Sequence, residues 1–352
     1  MLTIGGIVGL VGQIPGGALI DATHRKRRMA AFAVGGIGAS ALLIAAWPIL
    51  PIVLFAKVLH SAASCLVSPA IAAISLGLVG RKALGERLGR NARFASVGAG
   101  FAAALMGLIG YEISNRAVFL VTAAFAIPTI FALSQIRPEE IDQQRASGIS
   151  RIKPPPEPRR LRALLENKPL LIFSGCLMLF YLANGAMLPL IAGLVTMRIS
   201  ESASVMIAAC MVVPQIVVAL VSPWVGRQAD QWGRRPLLLI AFAALIARGV
   251  LFAITAHPYL LVAIQVLDGL SAAVFAIMLP LVAADVTRTT GRFNLTQGIM
   301  GSAMGIGASL STTLAGYMAD SFGGPVAFLG LAAVAFAGLL LLWTSLPETK
   351  AS

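Results

Sequence analysis

A short charged turn occurs twice in this chain, and each copy separates two apolar stretches of about 20 residues, the length that spans a bilayer. The first copy covers residues 17–28 and the second covers residues 226–235. Their central aspartates, Asp21 and Asp230, lie 209 residues apart in a chain of 352 residues. A segment that recurs at such a distance predicts that the whole architecture is duplicated.

The composition places this duplicated architecture in a membrane. Hydrophobic residues make up 58% of the chain and charged residues only 12%, whereas soluble domains average about 45–50% and about 25%. The sequence therefore predicts an all-α, polytopic membrane protein whose main partner is the lipid bilayer. We expect eleven transmembrane helices, at residues 1–20, 29–47, 51–80, 94–111, 116–136, 169–196, 203–226, 236–256, 258–284, 294–318 and 325–346.

The charges are unevenly distributed along the chain, whose net charge is +13. Of the 27 Lys and Arg residues, 22 fall in alternate connections, and the connections between those contain only Arg116 and Arg198. This asymmetry follows the positive-inside rule and predicts that the basic connections and the C-terminus are cytoplasmic. It indicates a bacterial-type cytoplasmic (inner) membrane and argues against a nucleic-acid partner. The basic connections are residues 25–28, 81–93, 137–168, 227–235 and 288–292.

The chain divides at a segment of different composition. Residues 137–168 are dense in Arg and Glu and contain three consecutive prolines at 154–156. We expect a solvated cytoplasmic linker, semi-rigid at the prolines, between an N-terminal bundle of five helices (1–136) and a C-terminal bundle of six (169–352). Residues 159–168 form either an amphipathic helix on the membrane surface or part of a solvated tether.

The duplication continues beyond the charged turns. Pro69 in the third predicted helix corresponds to Pro280 in the ninth. Asn91, before the fourth predicted helix, corresponds to Asn294, at the start of the tenth. Both halves therefore follow one repeated plan.

Several predicted helices carry glycines at short, regular spacing. Small residues on one face let helix backbones approach closely, which is how membrane helices associate. We expect these glycines to pack against neighbouring helices, and a sliding surface between moving bundles is the functional alternative. They are Gly5, Gly9, Gly12 and Gly16 in the first helix, Gly98, Gly100, Gly107 and Gly110 in the fourth, and Gly301 and Gly305 in the tenth.

Four ionisable residues lie deep in the predicted helices, where charge is a functional candidate by default. Arg248 lies ~18 Å from the inner end of its helix and Asp268 ~15 Å from the outer end of the next, so both lie near the midplane. We expect an ion pair that either neutralises two buried charges or binds substrate or a proton, with Asp268 titrating. Lys57 either snorkels or serves the substrate path. His60 is either a hydrogen-bonded core residue or a proton carrier.

Four uncharged polar residues on presumed cavity helices complete the candidate set. Asn184 precedes Pro189, and a kink there would expose it to a cavity. Such residues either bond neighbouring helices or contact substrate. They are Tyr181, Asn184, Gln215 and Gln265.

Nothing in the sequence indicates an enzyme. Cys65, Cys176 and Cys210 fall in apolar runs without paired or metal-like spacing, which favours buried small residues. A Ser/His/Asp constellation and a phosphate-binding loop followed by lysine are both absent from the sequence. We therefore predict no catalytic activity, cofactor or metal.

The two charged turns resemble the signature loops of the major facilitator superfamily, Gly-x-Leu-Ala-Asp-Arg-x-Gly-Arg-Arg, and the resemblance covers essentially the whole chain. His24 replaces the glycine of the first loop, so we expect a less tight turn there. Lys57 and Ser61 replace the Arg-x-x-x-Gly pattern of the family, which weakens a proton-relay role carried over from that arginine. The matching residues are Gly17, Asp21, Arg25 and Lys26 in the first loop and Gly226, Ala229, Asp230, Gly233, Arg234 and Arg235 in the second.

The resemblance implies a monomer with two pseudo-symmetric helical bundles and alternating access. It implies that Asp21 and Asp230 act as latches made in only one bundle arrangement, with simple topogenic charge as the alternative. In the family the first loop follows the second helix, whereas here it follows the first. The resemblance therefore implies that an opening helix is missing, through a misassigned start or in a genuine eleven-helix protein.

Three functions compete. The first is a proton-coupled antiporter for efflux of drug-like or amphipathic small molecules, which an apolar cavity with few charges favours. The second is an importer of a small organic anion or metabolite, attracted by Arg248 or Lys57. The third is a non-transporting membrane sensor or assembly partner, which the lack of a large soluble domain disfavours.

Overall fold

The computed structural model describes residues 2–148, 166–198, 203–255, 257–288 and 291–350. The chain is helical through nearly all of these residues, because lipid offers no partner to backbone N–H and C=O groups and a helix bonds them internally. The helices before the predicted linker are α1 (Leu2–Ala22), α2 (Lys26–Ala46), α3 (Leu50–Val79), α4 (Leu84–Glu112), α5 (Asn115–Ala124) and α6 (Ala126–Ser134).

The remaining helices follow a short 3-10 turn at Pro138–Glu140. They are α7 (Gln143–Ala146), α8 (Lys168–Asn184), α9 (Met187–Arg198), α10 (Ala203–Trp232), α11 (Arg235–Ile254), α12 (Pro258–Val286), α13 (Phe293–Phe322) and α14 (Gly324–Ser345).

All eleven predicted helical segments are present. The largest error in their bounds is at α4, which begins at Leu84 and not near residue 94. The prediction stopped at the charges, but the helix continues through them, supported by an ion pair between Arg90 and Glu86 at 2.5 Å. Such pairs at a spacing of four residues stabilise helices in water as well as in lipid. The all-α fold is confirmed.

Two predicted helices are broken, and each break precedes a proline. Pro128 follows the break between α5 and α6, and Pro189 follows the break between α8 and α9. A proline cannot donate to the carbonyl four residues earlier and clashes with it, which interrupts the ladder at Ala124 and Gly185. The amide that is freed at Ala186 donates to Ser311 Oγ of α13 at 2.8 Å. The predicted kink beyond Asn184 is therefore confirmed.

Within the part of the chain that the structure describes, nine segments are long and apolar enough to span a bilayer. They include α5 with α6, and α8 with most of α9, as single spans. The apolar part of α1, Gly6–Ala22, is shorter. Helix α13 is 30 residues long but is not one of the nine, since it carries many Ser, Thr, Asn and Gln residues. The polytopic membrane architecture is confirmed.

The helices pack into two compact units, each described here by itself. The first unit contains Met1–Leu84, Phe101–Leu161 and Val286–Ser302, and the second contains the rest, counting only described residues. The first unit thus includes the beginning of α13 together with the N-terminal helices. The predicted domain boundaries at residues 136 and 169 are based on the sequence repeat, whereas these two units are defined by compact packing. The compact units do not test those boundaries, which stay a prediction.

Small residues form the contacts inside the first unit. Gly12 and Gly16 of α1 lie against Cys65 of α3, as predicted. Added methyl groups at Gly17 and Gly298 would overlap the backbone oxygens of Asn294 and Gln13 respectively, so α1 and α13 touch backbone to backbone. In contrast, no described atom lies within 4 Å of where such a group would sit at Gly98, Gly100 or Gly107. The packing prediction for those α4 glycines is therefore wrong.

The second unit has an aromatic core. Phe180 of α8 lies 5.4 Å from the ring of Phe242 and 4.1 Å from the ring of Phe275, measured between centroids. Phe252 and Phe328 form a second pair at 5.4 Å. The free cysteines are buried, as predicted. Edge-on and tilted aromatic pairs of this kind hold α8, α11, α12 and α14 together.

The beginning of the predicted linker is folded. Residues 137–148, which we call the strap, lie against the end of α3, where Gly77 accommodates Ile141 and Ala146, and both of those side chains are buried. The amide of Asp142 donates to Gly77 O at 3.2 Å. The predicted linker is therefore not fully solvated, since the strap buries Ile141 and Ala146. Residues 149–165, which include the proline run and most of the predicted amphipathic helix, lie outside the described residues.

We expect Gly298→Ala to destabilise the protein and Gly316→Ala to leave it unchanged or stabilise it slightly. Alanine is ordinarily favoured over glycine in a helix by about 1 kcal/mol, but at Gly298 its methyl group meets Gln13 O. Gly316 lies on the same helix with no described atom within 4 Å of an added methyl group. Thermal unfolding of the purified variants measures the difference, and equal melting temperatures would contradict the close α1–α13 contact.

Candidate gating turns and a buried polar cluster

The first charged turn joins α1 to α2 and presents Asp21 to the start of α13. The carboxylate accepts hydrogen bonds from Asn294 N (3.1 Å), Asn294 Nδ2 (2.7 Å) and Leu295 N (2.8 Å). The first amides of a helix have no partner within it and carry partial positive charge. Asp21 therefore satisfies the N-terminus of a helix that lies more than 270 residues later in the chain.

The cations of the first turn divide into buried and exposed ones. Lys26 is 1% exposed, and its Nζ donates to Thr23 O (3.0 Å) and Ser147 Oγ (3.3 Å). Arg25, which matched the family loop as well, is exposed and bonds only locally, through its amide to Thr23 Oγ1. His24 has no positive φ angle, so the turn closes in three residues without the left-handed conformation that Gly233 supplies in the second copy.

The second charged turn joins α10 to α11 and presents Asp230 to the start of α4. A methyl group added at Gly85 would lie 2.9 Å from Asp230 Oδ2, and Gly85 and Gly226 meet backbone to backbone. Arg234 is 5% exposed and donates to Asp285 Oδ2 (3.0 Å) and Asp230 Oδ1 (3.4 Å). The two turns thus share one plan: an aspartate beside the first turn of a distant long helix, with a glycine that permits close approach.

The C-terminal segment is bonded to the second turn. Both oxygens of Glu348 accept from Arg234 N, at 2.9 and 3.1 Å, and Oε2 also accepts from Arg235 N at 3.0 Å. Gly233, at φ +94°, leaves room for this carboxylate. Partial burial alone would raise the pKa of Glu348, but the hydrogen bonds from the amides of Arg234, Lys350 and Arg235 outweigh it and lower that pKa below its ordinary 4.5.

A cluster of polar side chains lies inside the second unit. Arg248 of α11 is 2% exposed, and its guanidinium donates to Asp268 Oδ1 (2.7 Å) and Gln265 Oε1 (2.8 Å) of α12. It also bonds to the side chain of Asn184, at the end of α8. The predicted ion pair is therefore present, and two further candidates belong to it. The side chain of Asp268 is 24% exposed, so the carboxylate is the accessible member of the pair.

The other candidates lie outside this cluster or at its edge. Tyr181 lies one helical turn before Asn184 and within electrostatic reach of Asp268. Gln215 of α10 is half-buried and makes no hydrogen bond with the described residues. Lys57 and His60 lie on α3 of the first unit. His60 is exposed, and its Nδ1 is 3.4 Å from Ser40 Oγ, so the interpretation as a buried core histidine is wrong.

Three participants were not predicted from the sequence. The sequence marks Asn294 only as part of the repeat, and it gives no functional signal at Asp285 or at Glu348 near the C-terminus. Their contacts join residues 51 to 273 positions apart, and no local pattern specifies such partners. The only sequence feature that could have identified these three residues is their position, since each is an acidic or amide residue next to a helix end. Among the described residues, no group of three or more His, Cys, Asp or Glu side chains could hold a metal ion.

Comparison with known proteins is consistent with this geometry. The family model of the Major Facilitator Superfamily matches residues 1–222 and 202–352. Uncharacterized MFS-type transporters of Mycobacterium tuberculosis, from strains CDC 1551 / Oshkosh and H37Rv, are 37% identical to this chain over 351 residues. The match covers 99% of this chain and 84% of each relative.

Solved structures share the fold at low sequence identity. The human organic anion transporter MFSD10 (TETRAN) matches with a TM-score of 0.72 and 17% identity, over 96% of this chain and 82% of that one. The proton:xylose symporter XylE, bound to 6-bromo-6-deoxy-D-glucose, matches with a TM-score of 0.73 and 14% identity, over 99% of this chain and 86% of that one.

We expect Glu348→Gln to lower the melting temperature at neutral pH, with the difference from wild type shrinking as the pH falls below 4.5. A carboxyl whose pKa is lowered by folding stabilises the protein above its unfolded pKa and loses that effect as pH falls through its folded pKa. Glu112→Gln, at an exposed carboxylate without a described hydrogen bond, is the control. A pH-independent difference would show that the ionised carboxylate contributes nothing.

Proposed function

The chain belongs to the Major Facilitator Superfamily, and on that premise we propose that it is a proton-coupled secondary transporter that exports small amphipathic molecules by alternating access. The observation that carries the proposal is the Arg248–Asp268 ion pair, held with Asn184 and Gln265 among the apolar helices α8, α11 and α12. Charges within membrane helices are costly and mark substrate or proton paths.

Asp268 is the proposed titrating group. Its Oδ1 bonds to Arg248, while the side chain keeps about a quarter of its surface accessible. Protonation of Asp268 would remove the charge that balances the buried guanidinium, which then stays unpaired in a low-dielectric environment. Loading and release of one proton would therefore change the energy of this cluster by several kcal/mol, as breaking a buried pair does. XylE, a structural neighbour, is described as a proton symporter.

The burial and bonding of Arg248 indicate which charge the substrate carries. Its guanidinium is 2% exposed and already bonded to three side chains, so it offers little to an incoming anion. The accessible polar group near it is the carboxylate of Asp268. This arrangement favours neutral or cationic amphipathic substrates. Import of a small organic anion remains the second candidate, supported by the structural likeness to MFSD10, an organic anion transporter, and by the half-buried cation Lys57.

Asp21 and Asp230 are the proposed latches of the transport cycle. Asp21 holds three hydrogen bonds at the start of α13, and Asp230 lies beside the start of α4 and bonds to Arg234. A charge-assisted bond is worth about 1.5–3 kcal/mol, enough to bias a two-state equilibrium when it exists in one state only. We place these turns, the strap and the C-terminus on the cytoplasmic side of an inner membrane, with one chain as the working unit.

Direction and coupling are tested together in inverted membrane vesicles. Accumulation of a cationic dye that depends on an inward-acid pH gradient supports proton-coupled export. Accumulation of an organic anion in right-side-out vesicles, with no dye transport, would support the second candidate. Equal flux with and without the gradient would overturn the coupling.

We expect Asp268→Asn to abolish gradient-driven flux while the protein still folds, because asparagine keeps the size and one acceptor but cannot carry the charge that titrates. Asp320→Asn, at an exposed carboxylate of α13 in the same unit, is the matched control and keeps its flux. Transport in proteoliposomes with an imposed pH gradient measures both. Full gradient-driven flux in the Asp268 variant would exclude this residue as the coupling group.

We expect Asp230→Ala to lower the turnover rate about tenfold with little change in KM, since loss of a charge-assisted bond changes the bundle equilibrium and not the substrate site. Arg227→Gln, at an exposed neighbour without a described partner, controls for a change of charge near this turn. Initial rates over a range of substrate concentrations separate the two parameters. A rise in KM at constant turnover would contradict the latch.

A further inference from the structure

A cavity of about 150 Å³ opens between the first charged turn and the strap. All of its lining belongs to the first unit. The lining is strongly basic and contains no carboxylate, although Glu139 and Glu140 follow Pro138 in the sequence. The lining residues are His24, Arg25, Lys26, Arg27, Arg28, Pro138, Ile141 and Gln143.

The cations around the cavity have two different roles. Lys26 and Arg27 build its frame: Lys26 bonds to Thr23 and Ser147, and Arg27 Nη1 donates to Ile136 O (2.6 Å) and Ser134 O (3.2 Å) beyond the end of α6. The side chains of Arg25 and Arg28 are exposed and have no hydrogen bond or ion pair with the described residues. Two guanidinium groups, with ten N–H donors between them by chemistry, are therefore unused.

These cations surround the N-terminus of α2, the end of a helix that favours negative charge. Helix α2 begins at Lys26, its N-cap Arg25 makes no side-chain capping bond, and its first turn contains no acidic residue. The N-terminus of a helix carries partial positive charge and is stabilised by anions. Here it is surrounded by positive side chains instead. An external anion in the cavity would remove this repulsion.

Gln143 supplies an independent observation. Its Oε1 is buried and unbonded, and neither end of its side-chain amide has a partner among the described residues. An unsatisfied buried polar group is costly. Because the amide oxygen and nitrogen are interchangeable by rotation, Gln143 can present an NH₂ donor to a ligand in the cavity, whose lining also includes Arg25 and Arg28.

We propose that this cavity binds the phosphate group of an anionic phospholipid. Guanidinium groups recognise phosphate oxygens through several parallel hydrogen bonds, and the cavity offers two of them with an amide and an uncapped helix start. Helix α2, which begins at Lys26, is long and apolar enough to span a bilayer, so a cavity at its first residues would lie near the lipid headgroups. The site is separate from the transport cluster, and it couples lipid to the strap through Lys26 and Ser147.

The test uses the full chain purified into phosphatidylcholine nanodiscs, with phosphatidylglycerol added in one arm and inorganic phosphate alone in the other. Native mass spectrometry counts retained phosphatidylglycerol, and thermal unfolding reports stabilisation. The site variant is Arg25→Gln with Arg28→Gln. The charge-matched control is Lys82→Gln with Arg93→Gln, two exposed cations elsewhere. Gln143→Glu, nearly isosteric, places a negative charge in the cavity and serves if the double variant fails to fold.

We expect the site variant to retain phosphatidylglycerol about thirtyfold less than wild type, as the loss of two headgroup contacts of about 1 kcal/mol each predicts. Gln143→Glu should also lower the retention of phosphatidylglycerol, because its carboxylate repels the phosphate. The control should retain it normally, and inorganic phosphate should give no stabilisation. If inorganic phosphate stabilises the wild type but not the site variant, the cavity binds phosphate from a soluble ligand. That outcome overturns the lipid proposal. If the site variant and the control lose phosphatidylglycerol equally, net positive charge alone explains its retention. That outcome overturns the proposed site itself.

Discussion

The carboxylates of Asp21 and Glu348 need hydrogen-bond donors, and the first amides of a helix need acceptors; in this protein the two requirements are met together. Asp21 accepts from the start of α13, and Glu348 accepts from the start of α11. The N-cap residue of α11, Arg234, makes no side-chain capping bond of its own. Distant parts of the chain are therefore joined by hydrogen bonds between a carboxylate and the free amides at the start of a helix. The two charged turns and the C-terminal segment are held by these bonds.

The sequence predicted those features that depend on neighbouring residues, and it missed those that depend on contacts between residues far apart in the chain. Apolar length is a local property, so the eleven helical segments were found, and the break before Pro189 followed from the chemistry of one residue. The predicted start of α4 is wrong because the charged residues at 86–93 lower the hydropathy there, whereas the helix continues through them with an ion pair between Glu86 and Arg90. The strap was missed because its fit depends on Gly77 and Ile141, which meet only in the folded chain.

The candidate site shows the same division. Arg248 and Asp268 were paired correctly, because consecutive antiparallel helices bring equal depths together. The packing predicted for the α4 glycines failed, since a spacing of small residues is compatible with both a contact and an open surface. The sequence left His60 open between a hydrogen-bonded core residue and a proton carrier, because the faces of a helix cannot be distinguished when both are apolar, and the structure leaves it exposed. Partners such as Asn294 and Glu348 required three-dimensional information.

The contact between α1 and α13 has a consequence for cooperativity. Gly17 and Gly298 bring the two backbones together with no intervening side chain that could adjust its rotamer. A separation of even an ångström forfeits much of the dispersion energy along the whole strip and leaves no partially fitted arrangement to occupy. At these two glycines the contact is therefore made or broken as a unit, because no change of rotamer can fill a gap that opens between the backbones.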